Sequence, residues 1–142
     1  MPISLHAAFV PSALQMLGTA DHLIDKAEGW CGETGCAHAE AIGARIHEEM
    51  FPFSYQVKSV AVHTAGAIDG VRAGVFSPDL EPPPDDFAGL RARIAAARSA
   101  LESVREDELE GMIGRSVRFE FRDFRMDLTA EDFVVSFSKP NY

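Results

Sequence analysis

Apolar residues recur every three or four positions over three long segments of the chain. In the first segment the steps are 4, 3, 4, 3 and 4, through Phe9, Ala13, Met16, Ala20, Leu23 and Ala27. This spacing is typical of the buried seam of a helix in a bundle. Four more apolar residues widen the stripe that must be buried: Val10, Leu14, Leu17 and Ile24. Pro11 lies inside the segment, so it either marks the true start of the helix or kinks it near Ala8. Gly29 and Gly32 mark its expected end.

Two further helical seams follow the first. A shorter helix is predicted over residues 36–50, ending before Pro52. The next long seam steps 4, 3, 4, 3 and 4 through Phe53, Val57, Val60, Thr64, Ala67 and Val71. A proline-rich linker at residues 73–84 comes next, and Asp85 or Asp86 can cap the third long helix. That seam steps 3, 4, 3, 4 and 3 through Phe87, Leu90, Ile94, Ala97, Leu101 and Val104.

The period of the pattern changes to two after Gly114. Apolar and charged residues alternate from Val117 to Phe121 and again over residues 125–128, which predicts a β-hairpin with its turn at residues 122–124. Thr129 can then cap a last helix. We therefore predict an all-α helical bundle with a short β-hairpin before the last helix. That helix has barely begun when the sequence stops, so we expect it to be truncated or another subunit to cover the gap.

Composition limits the class of protein. The 142 residues suit one domain, residues 1–142. Thirteen Lys and Arg residues against 22 Asp and Glu residues give a formal charge of −9, which opposes a nucleic-acid or anionic-membrane partner. No apolar run approaches the roughly 20 residues of a membrane span, and no Lys or Arg precedes the first apolar stretch as in a secretory signal. We expect a cytoplasmic protein with no nucleic-acid or membrane partner.

Four blocks carry a family resemblance: ISLHAAFVPSALQMLGTADHLIDKA, ARIHEEMFPFSYQV, VAVHTAGAIDGVRAG and RFEFRDFRMDLTAEDFVVSFSKPNY. They cover essentially the whole chain. Together they resemble an uncharacterised bacterial domain-of-unknown-function family of the DinB/YfiT-like superfamily. The resemblance implies an up-down-down-up four-helix bundle, and it implies a homodimer because many members are dimers.

The resemblance also implies a candidate metal ligand. Several relatives bind a divalent metal through three histidines, one on the second long helix and two on the last, and some are thiol-dependent transferases or related enzymes. His63 matches the histidine of the second helix. No residue of this sequence matches the other two. No cofactor follows firmly from the resemblance; the one candidate that it leaves open is a divalent metal, zinc or nickel, held in part by His63. The alternative is a partly buried histidine that a neighbouring group satisfies.

The other residues with reactive side chains form no strong motif. Neither H-E-x-x-H nor C-x-x-C occurs. We expect the remaining histidine side chains to lie on solvated faces or to have no chemical role: His6, His22, His38 and His47. Cys31 and Cys36 are expected to be incidental thiols rather than a redox pair. We expect an outward strand face, where acidic residues balance the positive charge, to carry Arg115, Arg118, Arg122 and Arg125. Trp30 and the phenylalanines are expected in the core and in interfaces.

Two functions follow from these observations. The first is a module that binds a small-molecule ligand or a partner in a groove between helices and acts as a homodimer, because an apolar stripe left in water invites a partner. The alternative is a divalent-metal-dependent enzyme, similar to a thiol transferase, with His63 as a metal ligand. The sequence identifies no catalytic residues.

Overall fold

The computed structural model describes residues 2–142, which are mostly helical with one small sheet. Helix α1 (Leu5–Thr34) is the longest element. The hydroxyl of Ser4 accepts a hydrogen bond from the backbone N–H of Ala7 at 3.1 Å and caps its start. The helix begins before Pro11 and continues through it, so the proline does not mark the start. It ends at Gly35, whose φ of +74° suits glycine.

Residues 36–50 are less helical than predicted. Helix α2 covers only His38–Ile42, and a loop of residues 43–52 leads to the next helix. The N–H of Phe53 donates to the carbonyl oxygen of Ala44 at 2.8 Å, which closes this loop back on itself. The loop therefore forms a wall beside the C-terminal half of α1 rather than a continuation of α2.

The second long seam forms two helices, α3 (Phe53–His63) and α4 (Ala65–Ala73), instead of one. The break is at Thr64, which is fully buried and has φ −105° and ψ −88°. Its hydroxyl donates to the carbonyl oxygen of Val60 at 2.7 Å and lies 3.2 Å from that of Ala61. A threonine that bonds back to the preceding turn bends a helix. The polar residue inside the predicted seam is thus the point at which the helix breaks.

Helix α5 (Phe87–Glu102) matches its prediction closely. A carboxylate oxygen of Asp86 accepts from the N–H of Gly89 at 2.6 Å, so Asp86 is the cap. Every member of the predicted seam is buried, from Phe87 to Val104. A short helix that the sequence did not predict, α6 (Glu106–Glu110), follows.

The sheet has three strands in the order β1-β2-β3: β1 (Val75–Phe76), β2 (Ser116–Phe121) and β3 (Phe124–Thr129). Strands β2 and β3 form the predicted hairpin, and Phe121 pairs with Phe124. The turn is therefore Arg122 and Asp123 only, with Arg122 at φ 53°. Strand β1 pairs in parallel with β2 inside the segment predicted as a linker. Two residues are too few to show a period, so the sheet has one strand more than the predicted hairpin, in a fold that is mostly helical as predicted.

The final segment, residues 130–142, packs against the N-terminal half of α1. It consists of α7 (Ala130–Asp132), a π-helical segment (Phe133–Ser138) and α8 (Lys139–Asn141), and Thr129 caps it as predicted. Lys139 Nζ donates to the carbonyl oxygen of Ala8 at 2.8 Å. Ser12 Oγ donates to the carbonyl oxygen of Phe9, so the 2.6 Å contact with Tyr142 Oη is a bond that the tyrosine donates.

The buried face of α1 differs from the predicted seam. Leu17 and Ile24 are fully buried, whereas Leu23 is 46% exposed and Met16 is only half-buried. The apolar surface of α1 is wider than the core that α5 and the final segment cover. We call the uncovered row of Met16, Leu23 and Trp30 the outer stripe. Its members are seven residues apart and therefore lie on one side of the helix.

One buried lysine joins the linker to α3. Lys58 is 2% exposed. Its Nζ donates to the carbonyl oxygen of Asp79 at 2.7 Å and to that of Glu81, and lies 3.5 Å from the carboxylate of Asp79. Arg93 holds the other oxygen of this carboxylate at 2.6 Å. Burial acts to raise the pKa of the Asp79 carboxyl. The hydrogen bond from the N–H of Glu81 and the two cations outweigh burial, so the pKa of Asp79 lies below its usual value.

No helix within residues 2–142 is both long and apolar enough to cross a membrane.

Replacing Lys58 by methionine should destabilise the fold strongly, because it leaves two carbonyl oxygens without their donor and takes one of its two cations from the carboxylate of Asp79. Losing one partner of a buried charged pair costs about 3 kcal/mol, and we expect a loss of that order in urea unfolding followed by circular dichroism. Lys26→Met, at an exposed lysine on α1, is the control and should unfold near the wild-type midpoint. Equal midpoints for both variants would contradict this role of Lys58.

Candidate functional site

His63 is the last residue of α3 and lies directly before the break at Thr64. The imidazole is half-buried, with its ring centroid 5.7 Å from that of Phe76 and 6.2 Å from that of Phe137. Within residues 2–142, its Nδ1 atom is buried and has no hydrogen-bond partner. Burial lowers the pKa of His63 because the charged form loses its water.

The neighbours of His63 belong to an aromatic cluster that joins the sheet to the final segment. Phe76 lies 5.2 Å from Phe133 between centroids, and Phe119 lies 5.0 Å from Phe137. Two irregular pieces of helix meet here, the break at Thr64 and the π-helical segment. Such irregularities are frequent at functional sites. The cluster itself is apolar, however, and it offers His63 no charged partner.

The residues described do not fit a three-ligand metal site at His63. No group of three or more His, Cys, Asp or Glu side chains in residues 2–142 is placed to hold an ion. His6 bonds through Nε2 to the carbonyl oxygen of Val104 at 3.1 Å, and His38 packs edge-on against Phe87. His22 and His47 are exposed, as predicted. The buried, unpartnered Nδ1 of His63 is the one feature here that suits a metal ligand.

The two cysteines lie at the C-terminal end of α1. Cys31 is buried and Cys36 is partly buried, and both sulfurs approach the carbonyl oxygen of Ala37, at 4.0 and 3.5 Å. Burial, followed by hydrogen bonds with Glu40 and Cys31, raises the pKa of Cys36 to about 11. The thiol is therefore protonated at neutral pH, and a protonated thiol is a poor nucleophile. This supports the interpretation of the pair as incidental.

Two of the four arginines around the hairpin are paired across it. Arg118 contacts the carboxylate of Asp127 at 2.6 Å, and Arg125 contacts that of Glu120 at 3.2 Å. Both pairs are exposed on the strand face, as predicted. Each carboxylate balances the charge of its arginine, so these two arginines offer little net charge to an anionic ligand.

An apolar groove of about 610 Å³ lies between α1, the loop after α2 and the start of α3. We call it the Trp30 groove. It is lined by Lys26, Ala27, Trp30, Ala41, Ala44, Arg45, Ile46 and Phe53. Trp30 is 50% exposed and Ile46 is 94% exposed, so the prediction of Trp30 in the core is corrected. The groove is not predictable from the sequence pattern, because the loop that forms its far wall lies in the segment that the pattern predicts as a helix.

A second, smaller groove of about 130 Å³ follows the same side of α1 toward its N-terminus. Its lining includes Met16 and Leu23 of the outer stripe and Val60 of α3. A third groove, of about 590 Å³, runs between α4, β1 and α5 and is lined mainly by alanine and glycine. Its polar residues include Asp79 and Arg93, which already bind each other.

The comparisons with known proteins agree with this fold. A family model described as "Domain of unknown function (DUF1993)" matches residues 5–142. The fold is similar to the crystal structure of a DinB family member protein from Shewanella denitrificans, with a TM-score of 0.73 at 20% sequence identity. The match covers 96% of this chain and 77% of that one. None of the curated proteins matches the chain.

The environment of His63 predicts that folding stability falls in mild acid. In the unfolded chain histidine titrates near pH 6.5, and in the fold its pKa is lower, so the unfolded state binds the proton first. The free energy of unfolding should decrease as the pH drops from about 7.5 through 6.5 and on through the folded pKa. His63→Leu should lessen this decrease and keep wild-type stability at neutral pH, because it removes an unpaired buried nitrogen.

Urea midpoints measured from about pH 7.5 to 5.0 test this prediction. His22→Leu, at an exposed histidine, is the control and should follow the wild-type curve. Parallel curves for the wild type and His63→Leu would show that His63 is not the group responsible.

Proposed function

Because the chain belongs to the DUF1993 family, within the DinB-like superfamily, we propose that it is a non-catalytic binding module that holds a small apolar molecule and acts as a dimer. The observation that carries this proposal is the Trp30 groove. Its volume of about 610 Å³ lies within the range of small-molecule sites, roughly 300–1,000 Å³. It also combines apolar walls with few polar groups, as such sites do.

The walls of the groove favour an apolar occupant. Trp30 and Ile46 expose large apolar side chains to water beside the smaller side chains of Ala27 and Ala44. Covering apolar surface is favourable by about 25 cal/mol per Å². A ligand in this groove would therefore gain free energy from side chains that the fold leaves uncovered. Both cysteines are free thiols, which suits a cytoplasmic protein.

Binding of N-phenyl-1-naphthylamine tests the groove, because this uncharged probe fluoresces more strongly in apolar surroundings. We expect saturable binding, with energy transfer from Trp30, the single tryptophan. Ala27→Phe fills the groove and should weaken binding about tenfold or more, which is about 1.4 kcal/mol. Ala95→Phe, on the exposed face of α5, is the matched control and should bind as the wild type does. Equal affinities for both variants would place the probe elsewhere.

The outer stripe supports the dimer. Leu23 is 46% exposed although it lies in the middle of a 30-residue helix. Together with Met16 and Val60 it forms an apolar surface beside the small groove of about 130 Å³. Rows of apolar residues seven apart pack against a second helix in coiled coils and bundles. We infer that a second copy covers this surface, next to the Trp30 groove.

Leu23→Glu should convert the dimer to a monomer, because it places a charge in the centre of the apolar contact. Light scattering coupled to size exclusion should give twice the 15.5 kDa chain mass for the wild type and the chain mass for the variant. Leu80→Glu is the matched control, since Leu80 is an exposed leucine of the linker and outside the stripe. A monomeric wild type, or a dimeric Leu23→Glu, would refute the contact.

We also infer the up-down-down-up course of a four-helix bundle. In this arrangement α1, the broken rod of α3 and α4, and α5 are joined by residues 130–142 as the fourth member. Contacts of the final segment with α1, such as that of Lys139 with the carbonyl oxygen of Ala8, support it.

The alternative function is a divalent-metal-dependent enzyme, similar to a thiol transferase, with zinc or nickel bound in part by His63. The unpartnered Nδ1 atom of His63 favours it. Since residues 2–142 contain no group of three or more His, Cys, Asp or Glu side chains placed to hold an ion, we derive no reaction through a metal. Elemental analysis of protein purified without chelator separates the two functions, because stoichiometric metal that His63→Leu removes would favour the enzyme.

A further inference from the structure

We propose that the ligand of the Trp30 groove is a medium-chain carboxylic acid, whose alkyl chain covers Trp30 and Ile46 and whose carboxylate lies between Lys26 and Arg45. This inference rests on the proposed binding function and names the chemical class of the ligand. The observation behind the inference is the positive sign of the charges that line the groove.

The charged lining residues of the groove are both cations. Lys26 and Arg45 line it, whereas no Asp or Glu does. The rest of the chain has the opposite balance, with a net charge of −9. Two cations beside one apolar cavity in an acidic protein create a local preference for an anion.

Neither of these two cations is neutralised by a carboxylate within residues 2–142. The ion pairs of the fold involve other cations, such as Arg72 with Glu108 and Arg91 with Asp25 and Glu28. Lys26 forms no such pair, and Arg45 donates only to the backbone carbonyl oxygen of Glu48, at 3.1 Å. That hydrogen bond uses Nη1 of Arg45, so the other guanidinium nitrogens remain available to a carboxylate.

The remaining walls define the rest of the ligand. Between the two cations and Phe53 the lining consists of Trp30, Ile46 and alanines. Beyond the two cations and the indole N–H of Trp30, no lining side chain within residues 2–142 offers a polar group for a second ionic or hydrogen-bonding end. An amphiphile with one anionic head matches both the cations and the apolar walls of the groove. Its head pairs with the cations, and its chain replaces water over the apolar walls.

Decanoate, 1-decanol and decyltrimethylammonium test the inference, because they share a chain and differ in the charge of the head. The two charged amphiphiles are titrated below their micelle concentrations and decanol below its solubility limit, with Trp30 fluorescence as the readout. Decanoate should bind about tenfold more tightly than decanol, since each partly exposed ion pair contributes up to about 1 kcal/mol. The cationic amphiphile should bind most weakly. Salt at about 0.5 M should reduce the preference for decanoate.

A matched pair of double variants locates the charge. Lys26→Gln with Arg45→Gln should remove the tenfold preference, measured within each protein as the ratio of decanoate affinity to decanol affinity. Arg115→Gln with Arg122→Gln makes the same change in net charge at exposed positions of the hairpin and should keep the preference. Circular dichroism checks that both proteins are folded.

The outcomes separate this inference from the proposed function. Equal binding of decanoate and decanol, or an unchanged preference after Lys26→Gln with Arg45→Gln, overturns the carboxylate and leaves an apolar ligand in place. If no amphiphile and no N-phenyl-1-naphthylamine binds, the proposed function fails and this inference fails with it.

Discussion

The fold depends on the burial of α1, whose apolar residues cover more of its circumference than one neighbouring helix can. The inner half of that surface, with Leu17 and Ile24 at its centre, is fully buried. The N-terminal turns are covered by residues 130–142, which reach α1 through Lys139 and Tyr142. The outer half, toward the C-terminus, is left with shallow grooves instead of a packed neighbour. Uncovered apolar surface of this kind is the usual mark of a binding site.

The second constraint is the way in which polar groups are buried. Lys58 enters the interior only because two backbone carbonyl oxygens and the carboxylate of Asp79 meet its ammonium group. This arrangement fixes the linker against α3 and so places Phe76 beside His63. The buried hydroxyl of Thr64 finds its acceptor within its own helix, at the carbonyl oxygen of Val60, and the helix is broken at that residue. Both devices shape the aromatic cluster, which in turn leaves the His63 nitrogen without a partner.

Periodicity was a reliable guide where one face of a helix meets one neighbour. The seam of α5 was predicted in full, as were the hairpin and the Thr129 cap. It failed where tertiary contacts decide the outcome. Whether Leu23 or Ile24 faces the core depends on where the other helices lie, since both belong to the same wide stripe. The Trp30 groove was missed because its far wall is an irregular loop, closed by one backbone bond from Phe53 to Ala44.

The titratable groups with shifted pKa values are spread over several elements of the fold. Acid–base chemistry requires groups with separated pKa values that face one reacting atom. Three of the shifted groups lie in different elements: His63 against phenylalanine rings, Cys36 just after α1, and Asp79 in the linker. Burial dominates the shift at His63 and at Cys36, whereas hydrogen bonds and two cations lower the pKa of Asp79. Two apolar grooves, in contrast, share one side of α1, and the proposed function places its ligand and its second copy there.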